Sequence, residues 1–416
     1  VKVTLLTIGS RGDIQPFIAL AQGLARAGHD VMLGGPPDFT ELAARYQVPF
    51  TPIGASIQIL LQDSAVKNAI TGGGVLRFLR TRNTRRADLY AQLNREALAL
   101  CRSADFIIYK NAVLAAFGIA QKWGIPCAEV RLQPYTPTTA FPAFFLKGRA
   151  SYGRLINWLS GFVLQTVVWQ ILRNDVRAFW RDELQLPPLP GLWPDRMLAR
   201  AGVRIFSPIS QHVLPRPHDW PAHLYLTGYW FLGPPPGWTP PPEVVRFLAA
   251  GEPPVYIGFG SMPHQAPRAT FDLITRALQR SGQRGIVYSG WGGLSGEVVS
   301  NRLLVIESVP HEWLFSHVKA VVHHGGAGTT ATGLRAGVPN VVVPFFADQP
   351  FWGWRVAALG AGPAPLLRQR LTAERLAMAI EQAAHDPTMR ARAREIGARL
   401  QAEDGIAQTI ELLRVQ

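Results

Sequence analysis

A chain of 416 residues is too long for one ordinary hydrophobic core, so two domains are expected. With 48% hydrophobic and 17% charged residues it is globular rather than disordered, and two cysteines, Cys101 and Cys127, make neither a disulfide framework nor a CxxC metal pair. The net charge of +14 raises nucleic acid as a partner, but no DNA- or RNA-binding motif accompanies the arginines at 77, 80, 82, 85 and 86 or those at 390, 392 and 394, so a solvated face, an anionic substrate or a lipid surface fits better.

The chain enters a strand pattern at once, over Lys2–Ile8, without the charged segment, long apolar core and cleavage site of a leader. That start and the cysteine usage fit a cytoplasmic protein. A turn at 9–13 (GSRGD) leads into an amphipathic helix over Pro16–Ala27, then a strand over Asp30–Leu33. The same pattern returns as strand Phe106–Tyr109, helix Val113–Trp123 and strand Cys127–Val130. Repeated strand–helix–strand units imply a parallel sheet covered by helices on both faces.

Two irregular apolar inserts interrupt this pattern, at Ile57–Leu79 and Tyr135–Trp180. The second carries Phe141, Phe144, Phe145, Trp158, Phe162, Trp169 and Trp180, aromatics that are candidates to line a large apolar pocket, the first five above all. Its longest apolar run, Leu155–Leu172, is too short and too polar for a membrane span. It reads as a buried or membrane-surface helix, which leaves peripheral membrane contact open.

Six prolines between Gly233 and Pro242 mark a semi-rigid linker, placed at 233–254. A second α/β series follows: strand Val255–Phe259, helix Arg268–Arg280, strands Gly285–Tyr288 and Leu303–Ile306, then the stretch Ala320–Gln349. In that stretch a short apolar strand breaks at HHGGAGTT and opens a helix. Small residues there let backbone amides approach an anion, and the helix N-terminus adds unpaired N–H groups and a positive dipole end. A phosphate or diphosphate is the simplest ligand. Asp386-Pro387 starts a further helix with an N-cap acid, and a last helix covers Ile406–Leu413. The division expected is an N-terminal domain over 1–232, a C-terminal domain over 255–395, and a helical tail over 396–416 that packs back on the first domain.

Individual residues keep two readings at this level. Asp13 is a helix N-cap or a general base at the cleft mouth. Ser261 belongs to a tight turn or touches a phosphate. His323 and His324 are adjacent at a strand end and point to opposite faces, so they make a poor metal pair; one packs in the sheet while the other reaches the anion. Asp348-Gln349 caps a helix or holds vicinal sugar hydroxyls. The chain lacks GxGxxG, GxSxG, the P-loop and HExxH, which argues against dehydrogenases, serine hydrolases, NTPases and zincins.

The segments TIGSRGDIQPFIALAQGLARAGHDV, IGFGSMP, YSGWGGL and VVHHGGAGTTATGLRAGVPNVVVPFFADQPFWGWRVAALGAG together resemble the family 1 nucleotide-sugar glycosyltransferases of the GT-B fold. The branch they resemble is that of sterol glucosyltransferases and bacterial antibiotic glycosyltransferases. The resemblance implies two Rossmann-like doubly wound domains facing across a deep cleft. It also implies an inverting transfer of a hexose, glucose above all, from UDP-glucose or a dTDP-sugar to a hydroxyl of a bulky apolar acceptor, with no cofactor and no metal. By the same resemblance Asp13 is the catalytic base, and Ser261, His324, Gly326, Gly328 and Thr329 hold the donor diphosphate. Asp348 and Gln349 hold the sugar, while Trp291 and Val309 contact the nucleoside. Ser308 and Thr332 stand where plant members carry a Trp and a ribose-binding Glu, which leaves uridine and thymidine both open. A membrane-lipid acceptor and a non-catalytic partner protein are the alternatives.

Overall fold

The computed structural model describes residues 1–56, 84–146, 150–187, 194–259, 267–289 and 300–414. The strands β1 (Lys2–Leu6), β2 (Asp30–Gly35), β3 (Phe50–Pro52), β4 (Phe106–Lys110), β5 (Cys127–Val130), β6 (Arg204–Ser207) and β7 (Leu224–Leu226) form one parallel sheet. Its spatial order is β3-β2-β1-β4-β5-β6-β7. A second parallel sheet, in the order β10-β9-β8-β11-β12, is built from β8 (Val255–Gly258), β9 (Gly285–Tyr288), β10 (Leu303–Ile306), β11 (Ala320–His323) and β12 (Asn340–Val342). In each sheet the strand order reverses beside the first strand, which puts a crevice at the carboxyl ends of the central strands.

The apolar strands are buried on both faces, as parallel sheets require. One face of the first sheet, with Leu5, Ile108, Val130 and Phe206, packs against Ile14, Phe17 and Ile18 of the helix Arg11–Arg26. The opposite face, with Ile107, Tyr109 and Ile205, packs against Phe117 and Ile119 of the helix Ala115–Trp123 and against Trp169 and Trp180 of the helix Arg154–Asp182.

The Tyr135–Trp180 insert is not irregular throughout: Arg154–Asp182 is one continuous helix of 29 residues. It contains no proline, and its aromatic positions are spaced to reach the sheet only in its second half. The stretch 233–254 likewise contains a helix, Pro242–Ala249, whose Val244 and Phe247 sit in the core beside Tyr256 and Ile286. Pro242 occupies its first turn, where the missing N–H costs nothing. Position 395/396 lies inside the helix Pro387–Gln401, so the chain returns toward the first sheet only beyond Gln401. There the helix Gly405–Arg414 lies on Arg11–Arg26, with Ile406 against Gly23. The Trp230 indole donates to Thr409 Oγ1 at 2.9 Å in the same contact. The Ile57–Leu79 insert lies outside the described residues.

The two sheets are joined by side chains as well as by the chain. The Phe141 and Phe351 rings meet at 5.3 Å, the Arg335 guanidinium lies 4.4 Å above the Phe231 ring, and Arg355 donates to the Val213 carbonyl.

Candidate active site

Asp13 stands in the first turn of Arg11–Arg26, at the carboxyl end of β1. It is not the N-cap: Ser10 holds that position, and Asp13 Oδ2 accepts from the Ser10 backbone N–H at 2.8 Å and from its hydroxyl at 3.1 Å. The other oxygen, Oδ1, accepts from Lys110 Nζ at 2.6 Å. Lys110 Nζ also donates to the Ile8 carbonyl at 2.9 Å. Both side chains are largely buried, at 15% and 10% exposure. Gly9 makes this possible: its φ is +125°, and a Cβ there would fall 2.3 Å from Asp13 Oδ2. Lys110 was not singled out in the sequence. The only trace it leaves there is a lone lysine ending the apolar run FIIY.

Across the crevice, β11 ends in the histidine pair. His323 is fully buried; its Nε2 meets Asn340 Oδ1 at 2.9 Å and its Nδ1 accepts from the Gly325 N–H at 3.0 Å. Those partners fix a neutral ring, and burial pushes its pKa down to about 3. His324 turns the other way, over the turn, with Nδ1 buried and without a partner among the described residues. Burial pushes it down to about 4, so it is neutral at pH 7. Gly326 is the N-cap of the helix Ala327–Arg335, and a Cβ on it would lie 2.6 Å from His324 Nε2. Gly328 is exposed in the first turn, beside Thr329, with open space where a Cβ would stand. Thr332 turns its hydroxyl back to the Gly328 carbonyl at 3.0 Å.

The loop after β12 lies against this turn, since a Cβ on Gly325 would meet the Gln349 carbonyl at 2.9 Å. Asp348 is the N-cap residue of the helix Gln349–Ala358 but makes no side-chain cap bond; its Oδ2 accepts from Trp352 Nε1 at 2.8 Å. Burial pushes its carboxyl up to about 6, opposed by the Trp352 bond, while the Asp13 charge raises it further and Lys110 lowers it. Gln349 Oε1 accepts from the backbone N–H groups of Phe345 and Phe346 at 2.7 and 3.1 Å, so the amide oxygen expected to face a sugar is tied to the loop instead. Ala347, just before, is held at φ +53°, a backbone state costly for any residue with a Cβ.

The raised Asp348 pKa has a definite sign. A carboxyl that binds its proton more tightly folded than unfolded contributes stability below pH 4, which is lost as pH rises through about 6. Asp348→Asn is accordingly expected to raise the melting point at pH 7, by an amount equivalent to about 3 kcal/mol, and to change it little at pH 4. Thermal denaturation at the two pH values checks this; equal shifts at both would show that the carboxyl charge is not the cause.

Val309 packs its side chain into the core near Leu314 and Phe315. Ser261 and Trp291 lie outside the described residues. Among the described residues no three of His, Cys, Asp and Glu are grouped to hold a metal ion.

A cavity of about 500 Å³ is lined on one side by Ile8, Gly9 and Lys110, the residues packed around Asp13. Its walls are mostly apolar: Leu89, Tyr90 and Leu93 from the helix Thr84–Leu100, and Val168, Trp169 and Leu172 from Arg154–Asp182. Of the seven aromatics expected to line a pocket, Trp169 is among its described lining residues and the other six are not. Phe141 packs between Trp220 and Phe351, and Trp158 stacks on Phe162 at 5.2 Å near the outer end of the long helix. Phe144 and Phe145 are half-buried in the preceding loop. The long helix does serve the cavity, but through residues one to three turns further on. Aromatic content marked the right insert and, in Trp169, one residue of the wall.

Sequence and structure comparisons agree with this layout. Residues 3–142 match the model of the glycosyltransferase family 28 N-terminal domain, and residues 296–411 match that of the erythromycin biosynthesis protein CIII-like C-terminal domain. A sterol 3-beta-glucosyltransferase of Arabidopsis thaliana is 35% identical over 99% of this chain and 67% of its own length. A second from the same plant is 33% identical over 99% and 64%, and one from Neosartorya fischeri is 32% identical over 99% and 29%. The chain thus spans about two thirds of the plant relatives and under a third of the fungal one. Among solved structures, the glycosyltransferase of kitacinnamycin superimposes with a TM-score of 0.71 at 19% identity, covering 99% of this chain and 97% of that one. The glycosyltransferase VinC in complex with dTDP gives 0.67 at 19%, covering 100% and 99%. Two facing parallel sheets, a glycine-rich helix start on the second, and a relative of this identity over nearly the whole chain lead to one conclusion: the chain belongs to the GT-B glycosyltransferases, in the family of the sterol 3-beta-glucosyltransferases.

Proposed function

We propose that the protein is an inverting glycosyltransferase that moves glucose from UDP-glucose to a hydroxyl of a bulky apolar acceptor of sterol or polyketide size. The observation that carries this is a lysine-held carboxylate, Asp13, beside a 500 Å³ apolar cavity that the same lysine lines. Residues 1–232 take the acceptor and the second sheet takes the donor. The acceptor oxygen attacks the anomeric carbon as its bond to the diphosphate breaks, and its proton passes to Asp13. Lys110 and Ser10 position that carboxylate. The departing nucleoside diphosphate gathers negative charge, which the helix start at Gly326–Thr329, the His324 ring and Ser261 meet. Asp348 holds sugar hydroxyls while Gln349 fixes the loop that presents it, and Trp291 and Val309 receive the base. No metal is required in this scheme. Uridine enters the proposal from the sequence resemblance, whereas two solved structures of similar fold hold thymidine diphosphate. A panel of UDP- and dTDP-sugars crossed with sterol and polyphenol acceptors, read by mass spectrometry, tests it; no transfer from any pair would sink it.

Peripheral membrane contact is part of the proposal. Among the described residues Arg154–Asp182 is the helix long and apolar enough to cross a membrane, yet its second half is packed in the fold. Its first turns are reversed in polarity. Asn157 and Ser160 face inward and are hydrogen-bonded, while Leu155, Ile156 and Val163 are 70%, 52% and 51% exposed. An outward apolar strip on a chain of charge +14 suits an anionic bilayer surface. Co-sedimentation with phosphatidylserine vesicles is expected, reduced at least several-fold in a Leu155→Gln/Val163→Gln variant; equal sedimentation of the two proteins would remove the strip from this role.

A further inference from the structure

The wall of the cavity is not apolar everywhere. Tyr109 and Glu129 are register partners on β4 and β5, so their side chains leave the same face of the sheet, whereas Lys110, one residue on, leaves the other toward Asp13. Glu129 Oε1 accepts from Arg131 Nε at 2.6 Å. Arg131 is used up further on, donating to both oxygens of Asp195 at 2.6 and 3.2 Å and to Thr136 Oγ1 at 2.6 Å. Glu129 Oε2 is left without a partner among the described residues. The Tyr109 hydroxyl, on a fully buried side chain, has none either. Both residues line a recess of about 20 Å³ that shares Leu114, Trp169 and Pro194 with the main cavity. That volume holds one oxygen atom with its hydrogens.

Buried polar atoms are rarely left unpaired, because each costs about 1–3 kcal/mol. The Tyr109 hydroxyl is such an atom, and beside it Glu129 Oε2, whose neighbour Oε1 alone is bonded, faces the same oxygen-sized recess off a cavity with room for a ligand; together they mark a site completed from outside. The two needs differ: Glu129 Oε2 accepts, and the Tyr109 hydroxyl has a proton to donate. An alcohol answers both at once, donating to the first and accepting from the second. A ketone can only accept and an ammonium can only donate, so either leaves one atom unpaired.

We propose that the recess under Tyr109 and Glu129 binds a second hydroxyl of the acceptor, so that the preferred acceptor is a rigid apolar diol with one hydroxyl at Asp13 and another in the recess. The inference rests on reading the cavity as the acceptor site. It makes Tyr109 and Glu129 specificity-determining residues, since they discriminate among acceptors without touching the reacting atoms.

The test is calorimetric, without donor, so it does not depend on glycosyl transfer. The probes are 5α-androstane-3β,17β-diol, its 17-deoxy and 17-keto counterparts, and the 17-amine. Wild-type protein is expected to bind the diol at least 10-fold more tightly than each of the other three. In Tyr109→Phe that preference should fall to about 3-fold or less, while affinity for the 17-deoxy compound stays within 2-fold. Tyr109→Phe removes an unpaired hydroxyl and should fold at least as well as the parent, which a melting curve verifies; Glu129→Gln provides a second variant with the same expected loss. Equal affinity for diol and 17-deoxy compound, as when a water keeps the recess, overturns the proposal. So does a tighter 17-amine, no binding of the diol, or a preference undiminished in both variants. A diol preference that holds in a protein inactive with every donor would instead overturn the proposed reaction and leave the recess assignment standing.

Discussion

Asp13→Asn is expected to lower kcat by about 10²–10⁴-fold, the range for loss of a positioned general base, while nucleotide-sugar affinity changes little. The geometry makes the substitution diagnostic. One carboxylate oxygen accepts from Ser10 and the other from Lys110, so both flanking groups are donors. An asparagine can face only one of them with its oxygen and must turn its NH2 toward the other. The variant therefore loses the base and acquires a donor–donor contact, which costs about 1–3 kcal/mol of stability for the unpaired group. Lys110→Met separates these effects. It leaves the carboxylate in place with one partner fewer, so a smaller fall in kcat is expected, about 10-fold to 100-fold, as for a base held less firmly. Single-turnover rates with saturating donor, beside calorimetric donor affinity, measure both. Turnover in Asp13→Asn within a few-fold of the parent would remove Asp13 from the chemistry.

The pair also shows where sequence reading succeeds and where it stops. The strand ends Gly285–Tyr288 and Leu303–Ile306 were legible to the residue, because a parallel strand buried on both faces is an unbroken apolar run with hard stops, and Cys127–Val130 was legible from the stop at 124–126 before it. Asp13 was legible through its place in the turn after β1. Lys110 was not, since only the sheet order β1-β4 brings residues 97 positions apart to 2.6 Å. The Glu129–Arg131–Asp195 group was missed for the same reason, its three charges coming from a strand, the segment after it and a helix 64 residues away. The aromatic insert shows a different limit. Composition pointed to an apolar pocket wall, but which turns of a 29-residue helix face inward depends on what packs beneath them. Asn157 buried and Leu155 exposed run against the usual polarity, and no periodicity argument would choose that orientation.

His324→Ala is expected to weaken nucleotide-sugar binding about 10-fold and to lower kcat by a further 10²–10³-fold, since a fixed donor aimed at developing charge is worth about 3–4 kcal/mol. His323 is not interchangeable with it, because its two ring nitrogens are taken by Asn340 and Gly325. His324 instead has its Nδ1 buried without a partner among the described residues and its Nε2 poised over Gly326. A histidine held neutral down to about pH 4 produces no step in donor binding between pH 5 and 8. The step expected there, near pH 6, belongs to Asp348, with affinity falling as its carboxylate takes up a proton, and it should persist in His324→Ala and vanish in Asp348→Asn. Stability gives an independent sign. A depressed histidine pKa contributes stability that is present above pH 6.5 and lost as pH falls through about 4. The alanine variant should thus lose less stability than the parent on acidification over that window. Gly326→Ala reaches the same contact from the other side, because its methyl would occupy a point 2.6 Å from Nε2 and displace the ring. If Gly326→Ala lowers kcat as far as His324→Ala and the double variant is no worse than either, the ring acts from the position it holds over the turn; additive losses would mean that the helix start and His324 serve the donor separately.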